Sequence, residues 1–255
     1  MKGSKGTTEW NPKTIRLRYS LSDVKLFEVA FTALEESSSF SPDRRLASSV
    51  VPPMEEVPAG YDVVVQRYQL LANEIPVIQR LPKLLCYAPR QLLHYYTDLA
   101  GGPPQAFKGM SSKTRSSILR KVRHYRDFSG GEIHWGIYQT PDEMCVYHSL
   151  AREVARKTYQ ERLFDSGLPD GDSFRTQMLT LAERGLVRGF LLFHGSKPVA
   201  YLYTPAPDGY LVYDYLGYDP EYADKSPGTV LQYLALEALY AEGRFPLFYW
   251  GYGYS

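Results

Sequence analysis

Asp219-Pro220-Glu221-Tyr222-Ala223-Asp224-Lys225-Ser226-Pro227-Gly228-Thr229 leaves one strand-like run and opens a long run of helical period. Ser226 suits a helix N-cap, Pro227 the first helical turn, and Gly228 removes the side chain that would hold a ligand off the backbone. A helix N-terminus turns free N–H groups and a partial positive charge outward, so it draws anions such as phosphate. With no full Walker or Rossmann pattern present, the segment reads either as an ordinary capped helix or as a phosphate-binding turn.

Working outward, Ser226–Glu242 carries Val230, Leu231, Leu234, Ala235 and Ala238 on one helical face. Upstream, Leu186–Phe193 and Pro198–Thr204 form a hairpin through His194-Gly195-Ser196-Lys197, and Tyr210–Tyr218 continues as a third strand. Downstream, Pro246–Gly251 is a last strand. Ser111–Phe128 reads as a helix with a narrow stripe of Ile118, Leu119, Val122 and Tyr125, stopped by Gly130-Gly131. Glu132–Tyr138 alternates as a strand, and two helices follow, from Pro141 to about Tyr159 and near Ser173–Arg184. The expected fold is therefore α/β (α+β): a mixed, mostly antiparallel sheet flanked by helices.

The N-terminal third is harder to organise. Ile15–Tyr19 reads as a strand, Val24–Leu34 equally as a strand or a helix, and the Ser- and Pro-rich stretch 37–60 as a long loop. Tyr61–Leu71 and Leu84–Tyr87 are strand-like, and Gln91–Leu99 reads as a short helix. Gly101-Gly102-Pro103-Pro104 breaks the pattern and divides the chain into a reduced lobe over 1–104 and a larger domain over 105–255.

Of the 255 residues, 44% are hydrophobic and 22% charged, enough to bury a core. No apolar run approaches the roughly 20 residues of a membrane span. The polar N-terminus has no secretory h-region, which leads us to expect a cytoplasmic protein. A net charge of +1 argues against a surface built wholly for nucleic acid. Cys86 and Cys145 stand apart, as buried thiols in a reducing compartment would. The five histidines are scattered, and Cys145 with His148 lacks a second ligand pair, so no metal site is expected. The 22 tyrosines, many towards the C-terminal end, fit either half-wet strands or a polar aromatic cleft that orients a substrate. From Phe107 to Arg126 there are seven basic residues and no acid: Lys108, Lys113, Arg115, Arg120, Lys121, Arg123 and Arg126. They make either a solvated helix face or a contact for acidic glycan, lipid phosphate or the acceptor arm of tRNA.

The order of elements, with Pro198-Val199-Ala200, Gly217-Tyr218-Asp219-Pro220-Glu221, Ser226-Pro227-Gly228, Ser112-Lys113-Thr114-Arg115 and the ending Phe248-Tyr249-Trp250-Gly251-Tyr252-Gly253, resembles the GNAT acyltransferase superfamily. The branch most similar is that of acetyltransferases associated with cellulose and exopolysaccharide synthesis, related to Fem-type aminoacyl-tRNA-dependent transferases. The resemblance implies a sheet splayed between the strand ending near Tyr218 and the strand at Phe248. Acyl-CoA, with acetyl-CoA as the expected co-substrate, would lie in that cleft beside Leu216 and Gly217, its pyrophosphate on Lys225, Ser226, Gly228 and Thr229. An ammonium has no lone pair, so N-acylation needs a proton acceptor and a donor for the developing negative charge. Asp214 is the candidate base; Tyr249, Tyr252 and Tyr254 are candidates for an acid or an orienting hydroxyl. Lys113, Arg115, Arg120 and Arg123 would meet an anionic substrate. The acceptor would be an amine on a sugar, amino acid or envelope precursor. Two alternatives stand beside this: an aminoacyl-tRNA-dependent transferase, and a catalytically silent binding or scaffold member. Relatives often carry an acidic residue where Tyr249 stands and run on past the glycine pair, so part of the acceptor site is expected to be missing or to lie beyond Ser255.

Overall fold

The computed structural model describes residues 9–19, 27–37, 56–57, 59, 63–66, 75–88, 93–100, 110–158 and 167–253. They divide into two units, one reaching to Leu92 and one over Leu93–Gly253. In the first unit β1 (Glu9–Tyr19) and β2 (Phe27–Ser37) pair antiparallel, from Glu9↔Ser37 to Tyr19↔Phe27. β3 (Val63–Gln66) lies parallel to β2, and β4 (Ile78–Arg80) and β5 (Leu85–Tyr87) form a hairpin. Of the ambiguous run Val24–Leu34, the described residues 27–34 are strand, and most of the Ser- and Pro-rich stretch falls outside the described residues.

The second unit begins ahead of Gly101-Gly102-Pro103-Pro104, itself outside the described residues, because Leu93–Asp98 is a strand, β6. This corrects the helix expected over Gln91–Leu99. Tyr95, Tyr96 and Thr97 favour a strand, and β12 (Leu247–Gly253) supplies an antiparallel partner far away in sequence. Trp250 bulges out of that ladder, and Gly251 takes the left-handed φ of 102° beside it.

α1 (Ser112–Phe128) starts where the Ser111 hydroxyl accepts the Thr114 N–H, and it stops at Gly130 and Gly131, both at positive φ. β7 (Trp135–Tyr138) leads into α2 (Pro141–Ala155), opened by a capping box between Thr140 and Glu143 with Pro141 in the first turn. α3 (Asp172–Glu183) precedes the hairpin of β8 (Val187–His194) and β9 (Lys197–Pro205), which turns at Gly195 with φ 58°. Then come β10 (Leu211–Val212), β11 (Tyr215–Tyr218), a 3-10 turn over Pro220–Lys225, and α4 (Pro227–Glu242).

One four-stranded sheet runs β11-β9-β8-β7, all antiparallel; a second runs β10-β12-β6. Side-chain alternation gives the first sheet two buried faces. Phe190, Leu192, Ala200 and Leu202 enter one core with Tyr125 of α1 and Val230, Leu231 and Ala235 of α4. Leu191, Tyr201 and Tyr203 enter the other with Met144, Tyr147 and Ala151 of α2 and Met178 of α3. The mostly antiparallel sheet between helices is the arrangement expected from the order of elements.

Candidate functional site

The single strand expected over Tyr210–Tyr218 is broken. Leu211 and Val212 pair parallel with Phe248 and Tyr249, and the Tyr213 N–H donates to the Tyr249 carbonyl at 2.8 Å. From Tyr215 the chain pairs with β9 instead, while β12 continues along β6. Two consecutive residues, Asp214 and Tyr215, stand opposite Tyr203: the Asp214 N–H points at the Tyr203 carbonyl at 3.4 Å and Tyr215 is its register partner. An extra residue against one partner is a bulge, and here it marks the parting of the two sheets.

The bulge turns Asp214 into a cavity of about 280 Å³ with Phe174, Gln177 and Leu181 of α3 and Tyr203, Val212 and Tyr215 of the strands. The Phe174 ring lies 5.2 Å from Tyr203 and edge-on to Tyr215 at 6.0 Å, so the walls are aromatic. Asp214 keeps one side open to water, yet desolvation by its neighbours pushes its carboxyl pKa above the ordinary value. Burial likewise raises the Tyr203 and Tyr215 phenols, and the Asp214 charge adds to both shifts. Tyr147 is fully buried behind them; its hydroxyl has no hydrogen-bond partner among the described residues, and its pKa is raised by burial first and then by Tyr201, Tyr203 and Asp214.

Tyr249 neighbours this cavity in register, opposite Val212, but its hydroxyl is bonded to Nδ1 of His94 on β6 at 2.7 Å. Tyr252 pairs with His94 through its backbone, and Tyr254 lies outside the described residues. His94 carried no signal in the sequence, because its partner is brought by β12.

At the expected phosphate turn, Ser226 does occupy the position ahead of α4, but it sits at φ 53° and its side chain caps nothing. The capping carboxylate is Asp219, one helical element earlier. It is buried, accepts the Glu221 N–H at 3.1 Å, and pairs with Lys157 at 3.0 Å and Lys197 at 3.1 Å. Burial alone would raise its pKa, but the Lys157, Glu221 and Lys197 contacts together hold it below the usual carboxylate range. Asp219-Pro220 is a turn-initiating pair, a signal that could have singled it out. Gly228 serves packing: a Cβ there would stand 3.2 Å from Leu216 and 3.4 Å from Tyr218, so the glycine lets α4 start against β11. Gly217 does the same for the Tyr201 ring, which occupies the space of its missing Cβ. The Lys225 ammonium bonds Asp224 at 2.8 Å and lies 5.0 Å over the Phe128 ring. Main-chain bonding of α4 begins with the Val230 N–H on the Ser226 carbonyl, which leaves the N–H groups of Gly228 and Thr229 ahead of the ladder.

Lys113, Arg115, Arg120 and Arg123 are all exposed on α1, with the Arg123 Nε–H on the Leu119 carbonyl at 3.3 Å; Lys108 lies outside the described residues. Among the described residues no cluster of three or more His, Cys, Asp or Glu is placed to hold a metal, and no helix is long and apolar enough to cross a membrane.

No curated protein sequence matches the chain. Among solved structures it is similar to FemX (12% identity, TM-score 0.43, covering 62% of this chain and 52% of that one). It is similar also to L-PGS from Bacillus licheniformis (17%, 0.40, 62% and 44%). A third is a conserved protein of unknown function from Bacteroides thetaiotaomicron VPI-5482 (14%, 0.40, 62% and 49%). The chain thus spans about half the length of each. Residues 112–255, more than half of the sequence and the stretch from α1 through the parted strands to β12, match the acetyltransferase (GNAT) domain, and the chain belongs to that family.

Proposed function

We propose that this GNAT domain moves an acyl group, acetyl in the simplest case, from acyl-CoA to an amine of a sugar, amino acid or envelope precursor. The observation that carries the reading is Asp214, an ionisable group of raised pKa at a strand bulge, facing an aromatic cavity. Aromatic walls with one carboxylate suit an ammonium, by cation–π attraction and ion pairing. Asp214 takes the proton that the ammonium must lose, directly or through water, and the freed lone pair then attacks the acyl carbon. The C–N bond forms as the C–S bond breaks, and the departing thiolate takes up the second proton that the nitrogen loses on becoming an amide. A base with pKa raised toward the working pH does this better than an ordinary aspartate.

The residues that would hold the donor are Leu216 and Gly217 along β11 and Lys225, Ser226, Gly228 and Thr229 at the start of α4. The unbonded N–H groups of Gly228 and Thr229 fit a pyrophosphate, with the Lys225 ammonium nearby. Acyl-CoA as donor goes with a cytoplasmic site of action. Titration of the purified chain with acetyl-CoA and with free CoA in a calorimeter tests this: saturable binding of both is expected. No binding to folded protein would overturn the acyl-CoA reading.

The basic face of α1 favours a second reading, an aminoacyl-tRNA donor, in which Lys113, Arg115, Arg120 and Arg123 meet phosphates.

A further inference from the structure

α3 presents Phe174, Gln177 and Leu181 to the Asp214 cavity, but Arg175, Met178 and Leu179 to a second, larger cavity of about 400 Å³ shared with α2. Three guanidinium groups converge there on one carboxylate. Arg175 bonds Asp170 at 2.6 Å, Arg156 stands 3.5 Å from it, and the Arg152 Nε 3.6 Å. Arg152 is nine-tenths buried, and its Nη1–H donates to the Leu168 carbonyl, which fixes the fork at the back of the cavity. Arg156 is mostly exposed and Arg175 half exposed at the rim. Among the described residues of the lining, Glu153 is the other acid, so their positive charge is in excess.

His148 lines the same groove. A carbonyl can only accept, so the 2.9 Å contact to Pro169 makes Nε2 the protonated nitrogen. Burial, then the nearby arginines, lowers the His148 pKa, although Pro169 and Asp170 pull the other way.

A clip between two helices needs one arginine per carboxylate. Three guanidinium forks, from α2, the residue following it and α3, offer many more donors than the Asp170 oxygens can take, in the planar geometry that matches phosphate oxygens. We propose that this groove between α2 and α3 binds a phosphate monoester dianion, gripped by Arg152, Arg156 and Arg175, with Asp170 holding the three forks in place. The cavity is roomier than a bare phosphate needs, so the group it takes carries a further substituent.

The test is calorimetric titration of the full chain with glycerol 3-phosphate, alongside sedimentation with phosphatidylcholine vesicles with and without phosphatidic acid. Saturable binding of glycerol 3-phosphate is expected, weakened about ten-fold or more by Arg175→Gln and by Arg156→Gln. Arg175→Lys should restore little, because the fork is lost. Arg184→Gln, elsewhere on the surface, should leave binding unchanged. Binding of phosphatidic acid vesicles alone, lost in Arg175→Gln, would assign the phosphate to a lipid headgroup. Absence of saturable binding of either probe, or equal weakening by Arg184→Gln, would overturn the proposal. Circular dichroism checks that each variant is folded, and Arg156→Gln, the more exposed site, stands in should Arg175→Gln unfold.

Discussion

Partial burial beside Tyr203 and Tyr215 holds the Asp214 carboxyl above its ordinary pKa, and two consequences of opposite sign follow. For catalysis the ionised form is needed, so kcat/KM should fall as pH drops through the raised pKa. Asp214→Asn should remove that acid limb and lower kcat/KM by about 10²–10⁴-fold, as measured by thiol release against pH. For stability the sign reverses. A carboxyl whose folded pKa exceeds its unfolded one binds protons better when folded, so ionisation at neutral pH costs stability. Asp214→Asn should therefore raise Tm at pH 7 while abolishing the acid limb. A fall in Tm would mean that the charge is better partnered than its surroundings indicate. Asp219 is the converse case: its depressed pKa gives stability that is complete above the unfolded value of about 3.9 and is lost as pH falls through the folded one. Its place was legible in Asp-Pro, but its two lysines come from α2's C-terminal side and the β8–β9 hairpin, which no local pattern joins.

Among elements, α4 is held at both ends by contacts with strands. Its first turn rests on β11 through Gly228, and its last turn carries Glu242, which pairs with Arg188 of β8. Arg188 is 1% exposed, donates to the Val187 and Gly185 carbonyls, and lies 5.1 Å over the Phe245 ring. Removing one partner of a buried pair strands the other charge. Glu242→Gln should destabilise by about 3 kcal/mol, less in so far as Glu242 is partly open to water, and Arg188→Met with Glu242→Leu should recover most of the loss. Urea denaturation of the three proteins checks this; equal stability of all three would show that the pair contributes nothing. The start of α4 was readable from Pro227, which suits a first helical turn, although the Ser226 side chain does not cap it. The break in the preceding strand was not: Tyr210–Tyr218 carries one charged residue, Asp214, among aromatic and apolar ones, and it splits because its two halves find different partners.

At the scale of the whole molecule, a net charge of +1 conceals a local asymmetry, because Lys113, Arg115, Arg120, Arg123 and Arg126 of α1 are all exposed. Under the aminoacyl-tRNA reading, tRNA affinity should fall steeply with salt, and Arg120→Glu with Arg123→Glu should lower the slope of log K against log salt by about 2. Filter binding across a salt series measures it. A flat salt dependence, with acetyl-CoA binding intact, would leave α1 as a solvated face.

The sequence by itself determined the helices, the β8–β9 hairpin and the order of elements over 112–253, because helical period and Gly turns act within a few residues of chain. It also placed Asp214 on the strand that parts. Only the tertiary structure decided that Leu93–Asp98 is a strand, since its ladder partner lies at the other end of the unit. The same holds for the Asp214 cavity, the His94–Tyr249 bond and the three arginines around Asp170. Each joins side chains far apart in sequence: β12 pairing with β6 brings Tyr249 to His94, and packing of α2 and α3 on the sheet assembles the other two.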